Sequence, residues 1–271
     1  MFAKKIMKHL ARYLKDYDVA IITGASSGIG KAFANILYRL NPNIQILNIS
    51  RNALNLEGAN MPINGGVDLL NCDLYILAKD IENHLSNSSK KILLINNAGF
   101  ADYNYFAETD VKKIESITKL NNTCPVVLTR LLLDEILERK GSIINLCSTA
   151  AFQPTPLLAI YGASKSFMLS WTLALNAELA NKNVNVLALC PGPTPTNFFS
   201  NSGIDPSNLP DKMGKSVDTV AYTGLKALMK KKPYKIVGLM NRFLSTMSSL
   251  VPLNCAAKLA YKVMQKYKKS S

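Results

Sequence analysis

A chain of 271 residues, 48% of them hydrophobic, is long enough to bury one large core and too apolar to be disordered, so one α/β domain is expected. Five scattered cysteines (Cys72, Cys124, Cys147, Cys190, Cys255) without a C-x-x-C argue against a disulfide framework, and two histidines, His9 and His84, without metal-ligand spacing argue against a metal site or a His-based triad. The net charge of +14 sits at the ends: residues 1–15 hold five bases and residues 219–271 eleven, with no acid in either, while 16–218 is close to neutral.

In chain order, residues 1–17 form a basic segment in which Phe2, Ile6, Leu10 and Leu14 recur at helical spacing among Lys4, Lys5, Lys8, Arg12 and Lys15. That is an interfacial amphipathic pattern, and it lacks the apolar core of a signal peptide. From residue 18 to about 240, apolar runs alternate with helical patterns, the signature of β-α-β units. Strands are expected at Val19–Thr23, Ile44–Ile49, more weakly near Val67–Cys72, then at Lys91–Ile95, Ser142–Cys147, Asn185–Leu189 and Tyr234–Val237. Helices are expected at about 29–40, 75–86, 108–138, 156–181 and 217–230. Residues 241–271 read as a helical extension with a basic tail, and Arg242, Lys258 and Lys262 interrupt it before it reaches the ~18 to 20 apolar residues of a membrane span.

Thr23-Gly24-Ala25-Ser26-Ser27-Gly28-Ile29-Gly30 follows the first strand and opens a helix. Small residues there let a pyrophosphate approach the backbone, and free N–H groups at the helix start receive it. At the end of the second strand stand Ser50-Arg51-Asn52. With a cation and no carboxylate at that place, a 2′-phosphate is favoured over a bare ribose, hence NADP(H) over NAD(H). The glycines and proline of Asn52–Gly66 leave the surroundings of that phosphate less regular.

Tyr-x-x-x-Lys occurs three times, at Tyr75/Lys79, Tyr161/Lys165 and Tyr222/Lys226, and on a helix each pair would share a face. Tyr161 and Lys165 are set apart by Ser148, which ends a buried strand thirteen residues before Tyr161. With the Thr23–Gly30 turn, Asp73, Asn96-Asn97-Ala98-Gly99, Asn121, Ser148, Tyr161, Lys165 and Pro191-Gly192-Pro193-Thr194-Pro195-Thr196 in this order, the chain resembles the short-chain dehydrogenase/reductase family over about residues 18 to 240.

The resemblance implies an α/β fold: a Rossmann-type doubly wound parallel sheet of about seven strands, ordered 3-2-1-4-5-6-7, with flanking helices. It implies Tyr161 as acid/base, with Lys165 lowering the phenol's pKa and holding the nicotinamide ribose. Ser148 would polarise the carbonyl, and Asn121, preferred over Asn122 for standing four residues before Pro125, would hold a relay water. Thr23, Gly24, Ser26, Ser27, Gly28, Ile29 and Gly30 would hold the pyrophosphate; Asn97, Ala98 and Gly99 the adenosine; Pro191, Gly192, Thr194 and Thr196 the nicotinamide. For Asp73 two readings stand, an adenine contact and a helix cap.

The expected activity is therefore NADP(H)-dependent interconversion of a carbonyl and an alcohol. Phe198, Phe199, Ile204, Leu209, Met213, Met240, Phe243, Leu244, Met247, Leu250 and Val251 read either as a wall for a hydrophobic substrate or as core and subunit interface. A nucleotide sensor without catalysis is the alternative function. The family implies a homo-oligomer, dimer or tetramer. The expected location is cytoplasmic, the basic ends being either solvated faces or a peripheral contact with an anionic membrane. Nucleic-acid binding is not expected, because neither end interleaves aromatic residues with its cations.

Overall fold

The computed structural model describes residues 2–85, 90–204 and 214–267, without the side chains of residues 2–5 and 267. Strands β1 (Tyr17–Thr23), β2 (Gln45–Ile49), β3 (Lys91–Asn96), β4 (Ser142–Leu146), β5 (Asn185–Cys190) and β6 (Tyr234–Ile236) form one parallel sheet in the order β2-β1-β3-β4-β5-β6. β1 to β5 are buried almost throughout. Helices cover both faces, which is why these strands read as unbroken apolar runs. One face carries α1 (Phe2–Leu14), α2 (Gly28–Leu40) and α9 (Val217–Met229), the other α3 (Leu74–Leu85), α4 (Val111–Thr118), α5 (Cys124–Leu131), α6 (Leu133–Glu138) and α7 (Ala159–Leu179). The short α8 (Phe198–Asn201) and the C-terminal α10 (Leu239–Leu250) and α11 (Leu253–Met264) complete the described chain.

The order is the expected one less its outermost strand, so the sheet has six strands rather than about seven. Residues 67–72 do not form a strand. Residues 60–67 run beside β2 instead, through Ile46 N–H to Asn60 O at 2.9 Å, Asn48 N–H to Ile63 O at 2.8 Å and Val67 N–H to Ser50 O at 2.9 Å. Gly65 and Gly66 both have positive φ, 83° and 75°. Two left-handed residues in succession break the pleat, so only the bridge Asn48–Asn64 remains.

The single helix expected over 108–138 is also broken. A π-helical turn at Lys119–Thr123 separates α4 from α5. Pro125 has no N–H to give to the carbonyl of Asn121, and its ring clashes with that carbonyl, so the helix widens there.

Helix α1 folds onto the domain. Leu10 and Leu14 are fully buried in the core against α2 and α9, so this half of the interfacial pattern serves packing. The side chain of Phe2, like those of Leu209, Met213 and the tail beyond 267, lies outside the described residues.

Candidate active site

In a parallel sheet every strand ends on the same edge, and β1 lies where the order reverses, with β2 on one side and β3 on the other. Ligands of open α/β sheets bind in that crevice. The turn after β1 is locked from beneath: the Thr23 hydroxyl accepts from Asn97 N–H at 2.9 Å and Ala98 N–H at 3.0 Å, and the Asn97 amide donates to Thr23 O at 2.9 Å. Gly24 and Gly28 have φ of 70° and 53°, and a Cβ at Gly30 would lie 2.2 Å from the Gly24 carbonyl oxygen. The turn therefore needs its glycines. Ser27 precedes α2 without a side-chain capping bond, leaving first-turn N–H groups for an external acceptor. Ser27, Gly28, Lys31 and Thr196 are among the residues lining an open cavity of about 360 Å³ beside this helix start.

The other expected residues converge from β4, the π turn and α7. Ser148 follows β4 and caps a 3₁₀ turn, Thr149–Phe152, its hydroxyl accepting from Ala150 N–H at 3.1 Å. Lys165 on α7 is 6% exposed, and its Nζ donates to Leu146 O at 2.7 Å and stands 5.7 Å from the Tyr161 ring centre. Burial lowers the pKa of Lys165. Burial likewise pushes the Tyr161 phenol up to about 12, against the hydrogen bond from Ser148, which pulls it down. In this arrangement desolvation of the phenolate is the largest influence on the group.

Asn121, in the π turn, is 2% exposed. Its amide donates to Phe100 O and to Ser164 Oγ, both at 3.0 Å, and its oxygen accepts from Phe100 N–H at 3.1 Å. A Cβ at Gly99 would lie 2.8 Å from that oxygen and 3.7 Å from Lys165 Nζ, so the three groups surround one point. Asn122 turns to Ser164 O instead, at 2.9 Å.

The loop after β5 joins both halves. Thr149 N–H donates to Pro191 O at 2.9 Å, and Thr194 Oγ1 bonds Gly192 O at 3.0 Å. Thr196 is 3.3 Å from the place of a Cβ at Gly28. Two expected residues lie at the periphery. Arg51 is exposed. Asp73 is exposed and caps α3, accepting from Tyr75 N–H at 2.8 Å, which is the helix-cap reading.

Sequence reasoning missed the polar support below the site. Asn96 donates to Thr129 Oγ1 at 3.0 Å and to Asn145 Oδ1 at 2.8 Å, and Asn145 donates to Thr172 Oγ1 at 2.9 Å. This chain ties β3 and β4 to α5 and α7, and the signal was an asparagine inside each of two apolar strands. Phe198 also packs on Tyr161, ring centres 5.3 Å apart. Tyr103, Leu157, Ile204 and Phe199 form an apolar cluster next to it.

The family described as short chain dehydrogenase matches residues 18–206. A very-long-chain 3-oxoacyl-CoA reductase of Phaeosphaeria nodorum is 33% identical over 177 residues, 62% of this chain and 52% of that protein. A 17-beta-hydroxysteroid dehydrogenase type 3 of Mus musculus is 29% identical over 214 residues, 76% of this chain and 68% of that one. The chain spans about half the length of the first curated relatives it matches, from 48% to 54%. Among solved structures, a short-chain dehydrogenase from Sphingobium yanoikuyae in complex with NADPH superposes with a TM-score of 0.69 at 25% identity, covering 93% of this chain and 97% of that one. The family match runs unbroken across the glycine turn, Asn121, Ser148, Tyr161 and Lys165, and this chain belongs to the short-chain dehydrogenase family.

Proposed function

We propose that the chain is an NADP(H)-dependent oxidoreductase that interconverts an apolar ketone or aldehyde and its alcohol. One observation carries the reading: Tyr161, beside Ser148 and backed by Lys165, stands on the sheet edge that also holds an uncapped glycine turn. The turn fits a dinucleotide because its positive-φ glycines bring backbone close and its free N–H groups suit a pyrophosphate. Thr23 and Gly24 with Ser26–Gly30 would hold the phosphates, and Arg51 the 2′-phosphate. Asn97–Gly99 would meet the adenosine, Lys165 the ribose, and Pro191, Gly192, Thr194 and Thr196 the nicotinamide amide. When bound, the nicotinamide gives or takes the hydride.

The residues of the chain supply the rest. With its phenol pushed up to about 12, Tyr161 is protonated near neutral pH and donates a proton to the substrate oxygen during reduction. The Ser148 hydroxyl holds that oxygen in place. Lys165, one helical turn from Tyr161, and Asn121 behind it lead the replacement proton inward from the Gly99 side. The apolar wall of Phe198, Phe199, Leu157 and Ile204 suits a hydrophobic substrate body. The names of the relatives, a 3-oxoacyl-CoA reductase and a hydroxysteroid dehydrogenase, support that class, and the NADPH complex of a structural neighbour supports the cofactor. A homo-oligomer belongs to the same proposal. Phe167, 48% exposed on α7, is a candidate contact, and sedimentation of Phe167→Glu against wild type tests it.

The deciding experiment follows NADPH and NADH oxidation with long-chain 3-oxoacyl thioesters, steroid ketones and small polar carbonyls, with Tyr161→Phe alongside. The reading expects turnover of an apolar carbonyl, preference for NADPH and loss in the variant. Tight NADPH binding without turnover in either direction would favour the nucleotide-sensing alternative instead.

A further inference from the structure

Helix α10 is built inside out. Its buried residue is Ser245, flanked by the part-buried Asn241 and Ser248. At about 100° per residue, Leu239, Met240, Phe243, Leu244, Met247 and Leu250 all fall on the opposite half. Every one is exposed, from 39% at Met247 to 86% at Leu239. An ordinary surface helix shows the reverse arrangement. Helix α11 adds further exposed apolar side chains, Leu253 and Leu259 being 68% and 64% exposed. So many exposed apolar side chains on two consecutive helices mark an interaction site.

The charges select the occupant. Arg242, Lys258, Lys262 and Lys266 are exposed on or just after these helices, and residues 219–271 contain no Asp or Glu at all. A second copy placed on this face by two-fold symmetry would bring the same cations together with no carboxylate between them. An anionic lipid surface satisfies both features, its acyl boundary taking the apolar stripe and its headgroups the cations. No described helix is long and apolar enough to cross a membrane, which fits helices lying in the interface plane. The patch also adjoins the candidate site. Asn241 of α10 lies 2.3 Å from the place of a Cβ at Gly192, and the Tyr103 hydroxyl donates to Met264 O at the end of α11.

We infer that α10 and α11 form a docking face for an anionic bilayer, placed beside the apolar wall of the site. The inference does not depend on the proposed reaction. Nor does it place the anchor on α1, whose Leu10 and Leu14 are spent on the core.

The test is flotation of the full chain with vesicles of phosphatidylcholine alone and of phosphatidylcholine with phosphatidylserine. Wild type should float with the anionic vesicles and be released by high salt. The triple variant Phe243→Ser/Leu244→Ser/Leu250→Ser should lose about tenfold or more of its partitioning, with Tm and NADPH binding unchanged. Lys258→Glu/Lys262→Glu should lose binding to the anionic vesicles as well. A second readout keeps the wild-type helix faces intact: a polarity-sensitive fluorophore on the exposed Cys255, in a Cys72→Ser background, should shift to the blue on adding anionic vesicles. Absence of flotation, flotation unchanged in the triple variant, or no shift at Cys255 would overturn the inference. So would a triple variant that turns a dimer into monomers, since the face would then be covered by a second copy.

Discussion

Helices α7 and α10 both break the rule that apolar residues go inside, in opposite directions. Helix α7 buries Ser164, Lys165 and Thr172, and each finds a partner within the chain: Asn121 for Ser164, Leu146 O for Lys165, Asn145 for Thr172. Helix α10 exposes its leucines, methionines and phenylalanine and turns a serine inward. A buried polar group costs stability unless it is paired, so the inversion in α7 is closed, solved inside the fold. The inversion in α10 is open, with its apolar surface answered by nothing in the described chain. A closed inversion holds its polar side chains in place, and an open one leaves an apolar surface uncovered.

The most severe way to probe the closed side is Tyr161→Phe, which removes one oxygen and leaves the packing against Phe198. Carbonyl reduction should fall by about 10³-fold with Tm unchanged; equal turnover in the variant would take the proton transfer away from Tyr161. The pH profile sharpens this. Because the phenol is pushed up to about 12, reduction needs the form that already dominates near neutrality and should be flat there. Alcohol oxidation needs the phenolate and should rise about tenfold per pH unit below that value. Ser148→Ala removes the hydrogen bond that pulls the phenol down, so its oxidation limb should move to higher pH. A limb moving to lower pH would mean that Ser148 does not favour the phenolate.

The support beneath the site comes next in size. Asn145→Ala strands the Asn96 and Thr172 partners in a fully buried place and should cost about 2 to 4 kcal/mol, summing unmet hydrogen bonds and a cavity. Denaturant unfolding measures it. A cost under about 0.5 kcal/mol, the size of an ordinary surface change, would show that the amide chain is not what ties β4 to α7. Arg51→Ala follows: KM for NADPH should rise about tenfold, near 1.4 kcal/mol, with NADH unaffected. Equal losses for both cofactors would remove the 2′-phosphate from Arg51.

Much of the closed side was legible in the sequence. The strands β1, β3, β4 and β5 announce themselves as apolar runs, and Ser148 at a strand end singles out Tyr161 among three tyrosines at the same spacing from lysine. What escaped reading depends on contacts between distant residues. Two glycines in left-handed conformation abolish the strand at 67–72, and the π turn follows from a clash between Pro125 and the Asn121 carbonyl. The raised pKa of Tyr161 escaped because spacing shows a nearby cation but not the burial of the phenol. The open side misled in another way. Phe2 to Leu14 and Leu239 to Leu250 have similar apolar periodicity, yet Leu10 and Leu14 are buried while the stripe of α10 is exposed. Periodicity gives the existence of a stripe, and only the packing of the other elements gives its side.

The smallest expected effect tests the open side most directly. Leu244 is 56% exposed, whereas Leu225 of α9 is fully buried. Leu225→Ser should cost several kcal/mol, of the order of ~3 or more, through lost burial, a cavity and a stranded hydroxyl. Leu244→Ser should stay within about 0.5 kcal/mol in denaturant unfolding without lipid, because its side chain already meets water in the folded state and loses little by becoming polar. A loss above ~1.5 kcal/mol would mean that the stripe is covered in solution, and the contrast between α7 and α10 would collapse into two ordinary packed helices. A near-zero loss leaves Leu244 with no role in folding, and the work of that side chain must then be sought in what the helix touches outside the chain.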